Sequence, residues 1–448
     1  MLNVEQAEAR AGALIAAARK AGADAADVLY VGEASLGVQV RLGELEDVGR
    51  SEGEEIGLRL FIGTRSASVS SSDLSADALS ALVERAVAMA REAPEDPYAG
   101  LAPEELLFKG ELLPLEGDDG ANPSPAELKQ RALDMESAAR GVRGVTNSEG
   151  AGVSAARSVF ALATSTGFCR GYHSSHYSAG VSVVGGEGGA MQRDHASHSA
   201  RHFADLDGPE ELGRLAGERT VKRLNPGKLA SGVIPIVFDP RVGGGLVGHL
   251  VSAMSGPAIA RRTSFLLGRE CEQILPESLS IVDDPHRVRG LRSRPFDGEG
   301  VATAARALVD NGRLTDWLLN SASARQLGLA PNGHATRGVG GAPGVGATNV
   351  HLTPGTQSPS QLIADISQGL YVTEMIGQGI NLVTGDYSRG ASGFIIRNGE
   401  IAEPVAEITV AGNLLDMYRT LVAANDLEHR RAVNVPTLRV EGMTVAGA

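Results

Sequence analysis

After a helical stretch over residues 5–21, the chain passes through ADVLYVGEA, LGVQVRLGELEDVGR, EIGLRLFIG and RSASVSSSD with no helix between them. Short segments that alternate or cluster β-branched residues between Gly and Asp turns read as strands joined in hairpins. A second helix follows at about 76 to 92, in ALSALVERAVAMAREA. Helix, hairpin strands, then helix predicts an α+β fold, mostly antiparallel sheets with flanking helices, since strict alternation of strand and helix is absent.

Residues 93 to 125 hold six prolines and many acids, the composition of a linker. Beyond it PAELKQRALDMESAARG predicts a helix, with strands over 151–164, 168–184 and 190–203 and a helix over 208–223. A buried strand, SGVIPIVFDP, opens a third region, and a glycine-rich segment follows at 333–355. Short strands then lead to GFIIRNGEIAEPVAEITVAG, a helix in LLDMYRTLVAANDL, and a closing strand in PTLRVEGMTV. The expected domains are an N-terminal α+β domain over 1–98, a middle α+β domain over 120–224 and a larger β-rich C-terminal domain over 228–448. Fifty-seven glycines against 4 % aromatic residues imply many turns and closely packed backbones, while 42 % hydrophobic residues exclude a disordered chain.

A net charge of −13 without a basic stripe argues against nucleic-acid binding. Cys169 and Cys271 lie far apart with no CxxC, so a reducing compartment is expected. The N-terminus has acids where a secretory signal would have bases. Cytoplasmic location is the expectation. The window Val242–Ala260 lacks any Lys, Arg, Asp or Glu, but five glycines, two serines, His249 and Pro257 make it too polar and too small to span a membrane.

That window holds one candidate metal ligand, His249. Zinc peptidases use a helical His followed by Glu, with a second His one turn on. If His249 came first, the base position would be Leu250 and the partner positions Ala253 or Met254; if second, the partners would be Gly245 or Gly244. Neither register supplies a ligand. The pattern is that of a packing helix: Leu246, Val247, Leu250, Val251 and Met254 form a stripe, and Gly245, Gly248, Ser252 and Ser255 leave the other side small enough for another backbone to close in.

Other chemistry is sparser. His173, His176, His195, His198 and His202 fall within 30 residues. If GGEGG at 185–189 is a hairpin turn paired about Glu187, His176 stands opposite His198 on one face and could share a metal; exposed strand histidines are the plainer reading. RGVGGAPGVG fails the GxGxxG test because Pro343 takes the last glycine position, and no GxSxG elbow occurs. Arg261 and Arg262 could clamp a carboxylate or simply complete a helix end. Glu374, Asp386, Tyr387 and Arg389 lie among glycines, either a functional loop or a charge-stabilised hairpin.

Three blocks, residues 245–268, 293–329 and 372–394, resemble the TldD/PmbA proteins, specifically the PmbA branch, also called TldE, and the similarity runs through nearly the whole chain. The resemblance implies a peptidase assembly in which TldD and TldE pair as a heterodimer around a cavity. In TldD an HExxxH helix and a cysteine near the C-terminus hold zinc, and the Glu activates water. Implied substrates are extended or unfolded peptides, including a microcin precursor and an antitoxin; the family is also labelled a modulator of DNA gyrase. In this sequence the helix has His249 without companion or Glu, and the segment 426–442 has no Cys.

The expectation is therefore a TldE-type subunit, itself outside the catalysis, with no catalytic, cofactor or metal residue of its own and zinc in a TldD-type partner. It would wall the chamber and hold peptide by adding it to a sheet edge, with His249, Arg261, Arg262, Thr348, Asn349, Glu374 and Tyr387 as candidate chamber residues. The rival readings are a homodimeric peptide-binding protein without hydrolytic activity and an independent peptidase using His176 and His198.

Overall fold

In a computed structural model describing residues 1–447, the opening segment forms helix α1 (Val4–Lys20), started by an Asn3–Gln6 capping box. Strands β1 (Ala25–Arg41), β2 (Glu44–Ile62) and β3 (Arg65–Ser71) follow, then α2 (Ala76–Glu92). Past the proline-rich stretch, Ser124 caps α3 (Pro125–Arg140) with Pro125 in its first turn. Strands β4 (Val145–Thr164), β5 (Cys169–Gly185) and β6 (Gln192–Ala200) and helix α4 (Pro209–Lys222) complete this half.

The six strands form one antiparallel sheet in the order β3-β2-β1-β4-β5-β6. β1 pairs with β4 from Asp27–Thr164 to Val40–Ala151, so the regions before and after the proline-rich stretch share a sheet. Side chains alternate along each strand, and all four helices lie on one face. α1 and α2 cover Val28, Tyr30, Leu58 and Val159, and α3 and α4 cover Val38, Val153, Ala179 and Val183.

The chain then enters β7 (Gly232–Phe238), α5 (Pro240–Ala253) and α6 (Gly256–Ala260). Short strands β8 (Ile281–Asp283), β9 (Arg306–Asp310) and β10 (Arg313–Leu314) precede α7 (Ser321–Leu327), the ribbon β11 (Ala335–Thr336) and β12 (Gly344–Val345), β13 (Val350–Leu352) and α8 (Pro359–Ile363). Long strands return as β14 (Gln368–Ile376), β15 (Asp386–Arg397) and β16 (Glu400–Asn413), followed by α9 (Leu414–Arg419), β17 (Val422–Ala423), β18 (Val433–Asn434) and β19 (Leu438–Ala446). They build a six-stranded sheet, β16-β15-β14-β7-β19-β17, and a five-stranded one, β10-β9-β8-β13-β18. Only β7–β14 and β13–β18 are parallel among the described strands. The architecture is α+β.

The helix expected in LLDMYRTLVAANDL stops at Arg419, because Val422 and Ala423 pair with Arg439 and Leu438 instead. A free sheet edge competes there with helical spacing and wins.

The helix-free face of the first sheet is covered by the C-terminal half. Leu29 and Leu162 pack with Phe168, Phe296 and Val301. The glycine-rich loop crosses β2 so closely that a Cβ on Gly57 would sit 1.8 Å from the Val339 carbonyl oxygen. Arg337 from that loop and Arg59 from β2 both donate to the buried carboxylate of Asp27, with Glu299 3.7 Å from Arg59. Burial alone would raise the Asp27 pKa; the two guanidiniums outweigh it and hold the carboxyl below its ordinary range.

Candidate functional site

The apolar run of β7 ends at Asp239, whose carboxylate accepts from the Arg241 backbone N–H and caps α5, with Pro240 in the first turn. Leu246, Val247, Leu250, Val251 and Met254 point into the C-terminal core. Tyr418 locks the helix by donating its hydroxyl to the Leu246 carbonyl at 2.8 Å. Gly244, Gly245, Gly248 and His249 are half-buried and Ser252 is exposed.

This small face is not closed by a neighbouring backbone along its length, contrary to expectation. The chain around Val433 approaches Gly244, with the Val433 oxygen 3.4 Å from a built Cβ, but no neighbouring element among the described residues lies within 4 Å of a Cβ built on Gly248. Without an apolar side chain to bury there, no element is drawn onto that turn of the helix.

His249 stands beside β15. Its ring lies 6.2 Å from that of buried Tyr387, inclined at 61°. Arg389 donates from Nε to the Gly377 carbonyl at 2.9 Å and reaches to within 4.0 Å of a Cβ built on Gly245. Burial and then the Arg389 charge push the His249 pKa below its ordinary value, so the ring is neutral at pH 7. Burial also raises the Tyr387 hydroxyl to about 12, against the opposing pull of Arg389. The Nε2 of His249 is buried and unpartnered.

The donor set does not fit a zinc ion. Leu250 and Met254, in the positions a zinc helix gives to its Glu and second His, are each 0 % exposed in the core. Among the described residues no three His, Cys, Asp or Glu side chains are grouped to hold a metal. What the face offers is a neutral imidazole and a guanidinium along a helix with glycines on its surface, above the buried phenol of Tyr387, suited to contact by a chain or a partner surface.

The other sequence candidates scatter. Glu374 on β14 is half-buried and salt-bridged to Arg223 at the end of α4. Arg261 and Arg262 follow α6 on the exposed surface. Thr348 and Asn349 are 2 % and 1 % exposed, so they fasten the core instead of facing a chamber. The Thr348 hydroxyl donates to Asp283 at 2.6 Å, and Asn349 donates to Ser293 Oγ at 2.8 Å and to the Asp284 carbonyl at 2.7 Å.

The histidine pair is not formed. β5 and β6 pair Ala179 with His198 and Ser182 with His195, and Gly185 with Gln192. The turn is therefore centred later than Glu187, which moves the pairing by three positions. An odd shift reverses faces: His198 shares the helix-covered face with Ala179, and His176 lies on the other.

Sequence reasoning missed the charged knot behind α5, where Asp194 of β6 meets Arg241 at 3.1 Å and Arg223 at 3.5 Å. These residues are distant in sequence and belong to no motif, so only the meeting of β6, the end of α4 and the start of α5 reveals them.

Family models described as the PmbA/TldA metallopeptidase domain 1, central domain and C-terminal domain match residues 26–90, 118–224 and 231–447. The chain is 39 % identical to the Metalloprotease PmbA of Escherichia coli O157:H7, over 95 % of this chain and 92 % of that one. It is 37 % identical to the Metalloprotease PmbA homolog of Haemophilus influenzae, over 100 % and 98 %. Among solved structures, a Bacteroides thetaiotaomicron protein superposes with a TM-score of 0.90 at 27 % identity, covering 98 % of this chain and 99 % of that one. TldE from Thermococcus kodakarensis shares the fold, with a TM-score of 0.87 at 20 % identity over 98 % and 100 %.

Proposed function

This chain belongs to the PmbA/TldD metallopeptidase family, on its PmbA branch, and from that premise we propose that it is the non-catalytic, TldE-type subunit of a two-chain peptidase. The observation that carries the reading is the direction of α5: His249 lies half-buried against β15 while Leu250 and Met254 face the core on another side of the helix. A carboxylate and a second imidazole at those positions would be buried away from the ion they had to serve, and a metal ligand set needs convergence. The catalytic zinc belongs in a TldD-type partner, and the pair acts on extended or unfolded peptides in the cytoplasm. No helix among the described residues is long and apolar enough to cross a membrane.

This chain contributes a wall to the shared chamber, with the open glycine face of α5, His249 and Arg389 turned toward peptide or partner and Tyr387 packed in the core beneath them. The test is cleavage of an unfolded peptide by the chain alone, by a TldD-type subunit alone and by the two together. Chelator-sensitive cleavage that needs both subunits supports the proposal. Strong chelator-sensitive cleavage by this chain alone overturns it.

A further inference from the structure

On the helix-free face of the first sheet, cross-strand neighbours Phe160 of β4 and Tyr172 of β5 stack with ring centroids 5.4 Å apart. Beside them opens a cavity of about 470 Å³, a size typical of small-molecule sites. Glu33 of β1 and Ser158 form its near rim, the Ser158 hydroxyl donating to the carboxylate at 3.3 Å. Arg201, just past β6, and the segment 291–294 close the far side.

The far side carries three guanidiniums without a carboxylate. Arg201 donates only to neutral oxygens: Gly290 O at 3.3 Å, Ser175 O at 2.9 Å, the Ser174 hydroxyl and Leu291 O. Arg294 reaches Gly346 O at 3.4 Å while its Nε is buried and unpartnered. Arg292 extends exposed at the mouth. Arg201 and Arg294 are half-buried, and partly desolvated cations ordinarily find an anion; Asp297 lies within the field of Arg294, but none of the three guanidiniums stands in an ion pair among the described residues. Glu33, the only carboxylate lining the cavity, stands on the opposite rim.

The sheet order β1-β4-β5-β6 places Glu33 three strand spacings from Arg201, about 14 Å between backbones, which the reach of both side chains shortens, and Arg201 holds the carbonyls of Gly290 and Leu291 beside it. An extended tripeptide spans about 10 Å. A phosphate would leave the aromatic pair and Glu33 unused, and a purely apolar ligand would leave the guanidiniums unpaired.

We propose that this cavity is a binding site for a short zwitterionic peptide of about three residues. Its C-terminal carboxylate lies at Arg292 and Arg294, an apolar side chain rests on Phe160 and Tyr172, and its ammonium group points to Glu33. The site goes beyond the peptidase reading and does not depend on it.

Titration calorimetry on the intact chain, without any partner, tests it with the tripeptide Ala-Phe-Ala. One peptide binds per chain. Amidating its C-terminus, or Arg292→Ala, weakens binding about tenfold or more, as loss of a charge-assisted hydrogen bond does. Acetylating its N-terminus weakens binding to the wild type but adds no loss in Glu33→Gln. Both substituted residues are exposed, so the fold is retained. Equal binding of acid and amide overturns the proposal, as does absence of binding. Displacement of the peptide by inorganic phosphate at equal concentration, with Glu33→Gln neutral, assigns the cavity to phosphate instead and also overturns it. Because no cleavage is measured, failure here leaves the two-subunit reading untouched.

Discussion

Asp27 on the first strand and Arg337 on the glycine-rich loop, 310 residues apart in sequence, meet as a buried ion pair with side chains 2 % and 1 % exposed. Arg59 completes the contact from the neighbouring strand. The pair joins the helix-backed sheet to the C-terminal half, where a lone charge of either sign would be strongly penalised.

Asp27→Asn removes the carboxylate and leaves two guanidiniums facing an amide. Breaking a buried pair in this way costs about 3–5 kcal/mol, readable as a lowered urea midpoint. The Asp27 pKa is depressed from 3.8 in the folded state. Its stabilisation is therefore full above pH 3.8 and lost as pH falls through the lower folded value. Denaturant curves should show this acid loss in the wild type and lack its Asp27 component in the variant.

His249 titrates below its ordinary value of 6.5, with burial as the larger cause and Arg389 as the second. In Arg389→Gln the His249 pKa rises, because one of the two opposing influences is gone. Proton NMR of the imidazole across pH 4 to 8 measures both. An unmoved His249 titration would remove Arg389 from its surroundings.

Elemental analysis of the purified chain should find no stoichiometric zinc dependent on His249. Leu250→Ala should cost about 2–5 kcal/mol, in the range of core truncations. Leu250→Glu should be worse, because it buries a carboxylate with no partner. A soluble Leu250→Glu protein that retains zinc would contradict the orientation of α5.

Two glycine substitutions should have opposite effects. Gly248 lies within α5 with open space around it, so Gly248→Ala gains up to about 1 kcal/mol from helix propensity. Gly57→Ala would drive its Cβ to 1.8 Å from the Val339 oxygen and must displace the loop that carries Arg337. Thermal melts separate the two. If the α5 face receives a partner or peptide, Gly248→Trp should preserve the fold of the lone chain and lower cleavage by the pair.

The sequence made local features legible where one chain segment carries its own periodicity. The α5 stripe, the capped starts of α1 and α3, and the hairpin strands that fix the α+β class are of this kind. The β5–β6 register was not legible, because glycines on both sides of Glu187 allow more than one turn, and the one adopted shifts the strands by an odd step. Thr348 and Asn349 look like loop residues in sequence, but the carboxylate of Asp283 and the hydroxyl of Ser293 draw them inside. Nor could periodicity reveal Asp27–Arg337 or the cavity at Phe160, since both arise where remote strands and loops meet.

The antiparallel match of β1 with β4 has a consequence for proteolysis. A cut at the exposed residues 109–114 severs the covalent path between the two regions but leaves this ladder intact. The nicked molecule should migrate whole on a native gel and fall into two bands only in detergent, so the proline-rich stretch is a covalent tether between parts already held together by hydrogen bonds.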